Sequence, residues 1–361
     1  MHFSLNKLFK FIIMPLGLYT ASLNFETKKE IGAEGRNSQV FLAHDKQLDG
    51  ELVIKKIAKS SIPLAQEYYT ESKLLYNSRH QNIVQVNYGC EDQDHIYIAM
   101  PYYKNGSLKS LIDKKFLTVR EIIRYSLQYL SGLNHIHTKG LMHFDIKPDN
   151  ILLSDSNEAL LADFGLAKAM NNFGFSTQES VYPRQVPPER FSQKVFSVQY
   201  DIYLAGLTLY RLCNGNQHFY QQINFVDENA YIDAIRKGSF PNRKLYLPHI
   251  PKKLQKIINK AIHVDPAKRH NNVLELMNEL GSVDTHLDCQ FIPQKGISKW
   301  ELKELEKTYD IELIQNASNF EISTYKTMNA SGNRTKVHAN CFTSIAPDQI
   351  QSTLEQILKN L

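Results

Sequence analysis

At 361 residues, with 42% hydrophobic and 22% charged side chains, the chain is an ordinary globular protein, long enough for two or three domains and too apolar for a disordered one. Its net charge of +5 permits attraction to anions such as nucleotides but is too mild to argue for nucleic-acid binding. The four cysteines, Cys90, Cys213, Cys289 and Cys341, are scattered without a CxxC pair, which argues against a zinc site or a disulfide framework and makes a reducing, cytoplasmic setting the default.

In chain order, residues 1–22 come first. Lys7 and Lys10 precede the apolar run Phe11–Leu18, which superficially resembles a signal peptide. Pro15 and Gly17 interrupt the run, and it is too short to span a bilayer. The expectation is a segment packed on the first domain, with a peripheral anchor as the alternative and no stable membrane insertion. Residues 23–100 read as strand-rich. Val40–Ala43, Leu52–Lys55 and Ile96–Ala99 are short apolar runs separated by polar or turn residues. Between the second and third, Leu64, Tyr68, Leu74 and Leu75 suggest an amphipathic helix over Ala65–Tyr76. Met100–Gly106 carries the breakers Pro101 and Gly106 and reads as a hinge. Helices follow: one capped by Thr118 through Ile136, then Gln199–Cys213, Ala230–Lys237, Lys252–His263 and Asn272–Gly281. Beyond residue 290 the pattern predicts a helix from Ser298 to Lys307, then strands over Tyr309–Gln315, Phe320–Met328 and Lys336–Thr343. A final helix after Pro347 carries Ile350, Leu354, Ile357, Leu358 and Leu361 on one face. Trp300 is expected to anchor the core of this small α+β module.

The chemistry is concentrated in His143-Phe144-Asp145-Ile146-Lys147-Pro148-Asp149-Asn150 and in Asp163-Phe164-Gly165, whose carboxylate lies 18 residues after Asp145. A carboxylate that orients a hydroxyl, a cation for a moving phosphoryl group and oxygen ligands for Mg²⁺ are what phosphoryl transfer requires. The two stretches resemble the catalytic loop and the DFG segment of the eukaryotic-type protein kinases.

From about residue 23 to 288 the order and spacing of further segments resemble the same family. The resemblance implies an α+β, bilobal protein kinase fold. It comprises a small β-rich N-lobe (23–100), a hinge (101–105) and a larger α-helical C-lobe (106–288), with the α+β module (290–361) appended. Ile31–Val40 looks like the glycine-rich loop over the ATP phosphates, where glycine lets backbone amides come close. The copy is imperfect: Gly35 fits the central glycine, Ser38 replaces the third, and the first is Ala33 or a displaced Gly32. Lys55 stands in the place of the strand lysine that contacts the α- and β-phosphates, with Lys56 the competing candidate. Glu71, nine residues before the His80–Val84 turn, fits the helix carboxylate that holds it, with Glu67 the alternative. The resemblance further implies a nucleotide site formed by Gly32, Gly35, Val40, Val53, Lys55, Met100, Tyr102 and Leu152. Asp145 would accept the substrate proton, Lys147 would neutralise the transferring group, and Asn150 and Asp163 would ligate Mg²⁺. Asp149 is expected to be an exposed structural carboxylate, and His143 and Phe164 to pack on each other. Pro187-Pro188-Glu189 resembles the end of the activation segment, Arg269 its arginine partner, and Asp201 the aspartate that braces the catalytic loop.

The chain also departs from the family. Phe144 replaces the arginine that binds a phosphate on the activation loop, so activity is expected not to require phosphorylation of Ser176, Thr177, Ser180 or Tyr182. Lys147 points to serine/threonine acceptors, whereas Tyr182–Val186 lacks the usual threonine and leaves tyrosine or dual specificity open. A pseudokinase binding module and a small-molecule kinase are the other readings. The expected partners are ATP, Mg²⁺ and a protein substrate, with the module at 290–361 free to dock substrate, bind a partner or cover the C-lobe.

Overall fold

The computed structural model describes residues 24–32, 38–61, 70–178, 185–316 and 319–361, so the expected segment 1–22 lies outside the described residues. Five antiparallel strands build the N-terminal sheet: β1 (Phe25–Gly32), β2 (Ser38–Asp45), β3 (Gly50–Ala58), β4 (Tyr88–Glu91) and β5 (His95–Pro101), in the order β1-β2-β3-β5-β4. Strand alternation explains the small core on one face, where Ala43, Leu52, Ile54 and Ala99 are buried together. Helix α1 (Thr70–Asn77) is the described part of the expected 65–76 helix, so Leu64 and Tyr68 fall outside.

The second region is helical, with a single extensive core. It contains α2 (Leu108–Lys114), α3 (Val119–Thr138), α4 (Gln199–Gln221), α5 (Glu228–Lys237), α6 (Lys252–Ala261) and α7 (Val273–Gly281). Short strand pairs accompany the helices: β6 (Leu141–Met142) with β9 (Lys168–Ala169), β7 (Ile151–Leu153) with β8 (Ala159–Leu161), and β10 (Ser176–Thr177) with β11 (Val195–Phe196). Helix α3 starts at the expected cap. The Thr118 hydroxyl accepts the Glu121 N–H at 3.1 Å, and the Glu121 carboxylate accepts the Thr118 N–H at 3.0 Å. Its 3.6-residue stripe of Ile122, Leu130, Leu133 and Ile136 is then fully buried. Helix α4 runs past the expected end at Cys213 because it bends rather than stops. Gly215 adopts φ 75°, and a Cβ there would meet the Phe116 ring at 2.9 Å, so only glycine fits this corner.

Residues 289–361 form a six-stranded antiparallel sheet backed by one helix. Its elements are β12 (Cys289–Gln294), β13 (Ile297–Lys303), β14 (Lys307–Gln315), β15 (Phe320–Met328), β16 (Arg334–Lys336), β17 (Phe342–Ile345) and α8 (Ile350–Asn360). The helix expected from Ser298 is therefore a strand. Trp300 and Leu302 are buried on one face, while Lys299 and Glu301 lie on the other and join an ion-pair ladder with Asp310. Alternation of period two decided the conformation over the capping serine. The third expected strand is two, β16 and β17, separated by a turn at His338–Asn340. Trp300 does anchor the core, together with Phe291, Ile311, Ile322 and Leu354. The sheet packs onto the helical region through Phe116, whose ring lies 4.8 Å from that of Phe291. Arg120 and Asp288 tie the junction with two bonds of 2.6 and 2.7 Å.

Candidate active site

The catalytic-loop sequence cannot continue as helix or strand, because Pro148 lacks an N–H and Phe144 is held at φ 65°. What holds it is Asp201 at the start of α4. Its two carboxylate oxygens accept the backbone N–H groups of His143 and Phe144, each at 2.8 Å, and His137 Nε2 lies 2.8 Å away. Burial alone would raise this carboxyl, but the His137 bond and the neighbouring charges and amides hold it below its ordinary value. His143 stacks edge-on against Phe164 at 4.9 Å, and burial drives its pKa down, as fits a neutral core histidine.

Above this support the polar side chains converge. Lys147 Nζ lies 2.9 Å from Asp145 Oδ2. The Asn150 amide donates to the same Oδ2 at 2.8 Å and to the Asp145 carbonyl at 2.9 Å. Burial works against a charged Lys147, but the Asp145 carboxylate outweighs it and lifts its pKa. Ala162 N–H bonds to the Asn150 carbonyl at 2.9 Å, which places Asp163 beside the loop. Lys55 reaches down from β3, its Nζ 2.9 Å from Asp163 Oδ1. The Lys55 charge holds the Asp163 carboxyl down at about 2, although that residue is exposed to the cleft.

The cleft also has an apolar wall. Val53 pairs with Met100 across β3 and β5, and Val40 with Lys55 across β2 and β3. Met100, Tyr103 and Leu152 pack on Val84, Leu160 and Ala162, a cluster that joins both regions and includes the residue preceding Asp163. Tyr102 is half-buried at the connection. Gly32 pairs with Val40 at the end of β1, but Gly35 and Ala33 lie outside the described residues. Glu71 lies on α1 with its side chain outside them, as does all of Glu67, so the carboxylate partner of Lys55 from this helix is not described.

Comparison with known proteins decides the family. Residues 25–280 match the protein kinase domain. The chain belongs to the protein kinase family. It is 30% identical over 267 residues to a probable myosin light chain kinase of Dictyostelium discoideum, covering 72% of this chain and 81% of that protein. It is 29% identical over 270 residues to the probable serine/threonine-protein kinase PknB of Lactococcus lactis, and 27% identical over 295 residues to the serine/threonine-protein kinase PrkC of Bacillus subtilis. Those alignments take in 72% and 80% of this chain but only 42% and 44% of the bacterial proteins, less than half their length.

The kinase domain thus has a β-rich N-lobe and a helical C-lobe, and a β-rich module follows it. Pro188-Glu189 is anchored as expected: Arg269 grips Glu189 with two bonds of 2.7 Å, both partners being buried. One reading of the sequence needs correction. Asp149 is not an exposed carboxylate; its side chain is 16% exposed and lies 3.4 Å from Arg211 Nη2. Arg211 itself drew no attention in the sequence. The available signal was a charge inside the largely apolar run Leu207–Cys213; the structure buries every residue of that helix from 200 to 216. Ser180, one of the candidate loop-phosphate sites, and residues 182–184 of the Tyr182–Val186 stretch that bore on acceptor preference lie outside the described residues.

Proposed function

We propose that the chain transfers the γ-phosphoryl group of ATP, with Mg²⁺, to serine or threonine hydroxyls of proteins, without a need for phosphate on its activation loop. The observation that carries the reading is that the Lys55–Asp163 pair and the Asp145–Lys147–Asn150 group are joined through the Ala162–Asn150 backbone bond, with an apolar cluster that includes Ala162 beside them. In this reading Val40, Val53, Met100, Tyr102 and Leu152 receive the adenine, and Gly32 and Gly35 the phosphates. Lys55, oriented by Glu71, meets the α- and β-phosphates.

Asp145 is the residue that orients the acceptor hydroxyl and takes its proton. Its Oδ2 is already held by Lys147 and Asn150, so the carboxylate is fixed before substrate arrives. Lys147 stands where charge develops on the transferred group, and a buried cation stabilises it more there than in water. The donor set fits Mg²⁺. Asp163 offers carboxylate oxygen, and Asn150 donates through its amide nitrogen, which leaves the amide oxygen for a hard cation that takes one or two protein ligands besides phosphate. When bound, the ion neutralises charge on the β- and γ-phosphates. ATP chemistry also favours a cytoplasmic setting. Among the described residues no helix is long and apolar enough to cross a membrane.

Serine/threonine acceptors are supported by the names of the bacterial relatives and by Lys147. Independence from loop phosphate is supported by what surrounds Phe144. Its buried ring meets Tyr200 edge-on at 5.1 Å and Phe196 at 6.2 Å, so position 144 itself offers a phosphate no cation; Arg190 lies over the outer ring of this aromatic cluster, 5.8 Å from the Phe196 centroid. Ser176 and Thr177 are meanwhile paired in β10–β11. Replacing Ser176, Thr177, Ser180 and Tyr182 together is expected to leave casein phosphorylation within about threefold of wild type. Loss of activity in that variant would show that the loop needs its phosphate.

A further inference from the structure

Arg211 is fully buried, yet its carboxylate partner Asp149 is at 3.4 Å, the long limit of a bond. The remaining donors go to neutral groups. Nε and Nη2 bond to Asn216 Oδ1 at 3.0 and 2.8 Å, Nη2 to the Tyr220 hydroxyl at 3.2 Å, and Nη1 to Gln185 Oε1 at 3.1 Å. Burying a guanidinium this way is costly, and an apolar side chain at a helix position packed in the core would avoid that cost. The arrangement therefore orients rather than stabilises.

What it orients follows from its two ends. On one side Asn216, brought round by the Gly215 corner, is itself held by Asp113 of α2 at 2.6 Å, so the planar fork has a fixed direction. On the other side it meets Asp149 and Gln185. Asp149 sits in the one-turn helix Pro148–Asn150, whose inner side already holds Asp145 through Asn150. Gln185 lies in the activation segment two residues before Pro187-Pro188-Glu189, which Arg269 anchors. One guanidinium thus touches both the turn next to Asp145 and the end of the activation segment.

We propose that Arg211 is a positioning residue for the protein substrate: it clamps the outer side of the catalytic turn to the end of the activation segment and sets the gap between them. This rests on the reading of Asp145 as the residue that receives the hydroxyl. Loss of the Asp149 contact frees the turn that carries Lys147 and Asn150, whereas loss of the Gln185 contact frees the substrate-side wall alone.

The test is steady-state kinetics with casein and ATP varied separately, with a thermal melt of each variant. Gln185→Ala is expected to raise the KM for casein about tenfold with little change in kcat, and Arg211→Met to raise it and also lower kcat about tenfold. The KM for ATP stays within about twofold in both. Arg211→Lys does not rescue, since a point ammonium cannot bridge two acceptors as the fork does. Parallel losses toward casein and ATP that track the fall in Tm, or unchanged casein kinetics in Gln185→Ala, overturn the proposal. Should Arg211→Met fail to fold, Gln185→Ala decides alone, because Gln185 is partly exposed. An Asp145→Asn control that still phosphorylates casein would instead overturn the assignment of Asp145.

Discussion

Single residues divide by how much of their role is local. Asp145, Lys147, Asn150 and Asp163 were legible because their spacing is set by one loop and one short strand pair, β7–β8, that returns the chain to the same cleft. Lys55 was legible from its place on a strand, and its contact with Asp163 spans 108 positions of sequence. Arg211 and Asp149 were not legible, since nothing in either local sequence says that a helix bend will bring Asn216 back to complete a guanidinium site. The Arg269–Glu189 pair lies between. Both residues are buried, so breaking it strands a charge: Arg269→Ala is expected to destabilise by about 3–5 kcal/mol in chemical denaturation, and Arg269→Lys to recover little of it. A loss under 1 kcal/mol would mean that water reaches Glu189 and screens it.

At the scale of elements, period decided what capping signals did not. Thr118 and Ser298 are both plausible cap residues, but only Thr118 is followed by apolar residues at helical spacing. Ser298 begins Ser-Lys-Trp-Glu-Leu, whose alternation puts Trp300 and Leu302 on one sheet face. Thr118→Ala is expected to cost about 1 kcal/mol of stability and Ser298→Ala close to nothing; equal costs would deny the capping role. The strands β1 and β4 went unread because edge strands exposed on one side carry few apolar residues: Phe25-Glu-Thr-Lys-Lys-Glu shows no run at all. Helix α4 was read short because Gly215 looks like a terminator in sequence, whereas packing against Phe116 makes it a corner.

Over the whole molecule, the C-terminal module behaves as part of the C-lobe surface. Leu247 belongs to the packing of both cores, Phe116 packs against the core of the module, and Lys252 pairs with Glu355 of α8 at 2.7 Å. Removing residues 289–361 is expected to lower Tm by about 5 °C or more, because the apolar side chains it covers are each worth about 2 kcal/mol buried. An unchanged Tm would indicate a tether rather than a cover. The C-lobe is also expected to be acid-sensitive through one interior residue. His249 is fully buried, and burial depresses its pKa from 6.5 to about 3. The unfolded chain then binds a proton that the folded chain refuses, so stability is intact above pH 6.5 and falls as pH drops toward 3, by about 1.4 kcal/mol per unit. His249→Leu should flatten that slope between pH 6.5 and 4 in denaturant titrations; an unaltered slope would place the acid sensitivity elsewhere. The central claim concerns the cleft that all these parts hold in place. Its most direct test is transfer of radiolabelled γ-phosphate from ATP–Mg²⁺ to casein, with phosphoamino-acid analysis of the product. Wild type is expected to give phosphoserine and phosphothreonine, and Asp145→Asn to lose at least about a thousandfold in rate. Label on tyrosine alone, or equal transfer by both proteins, would contradict it.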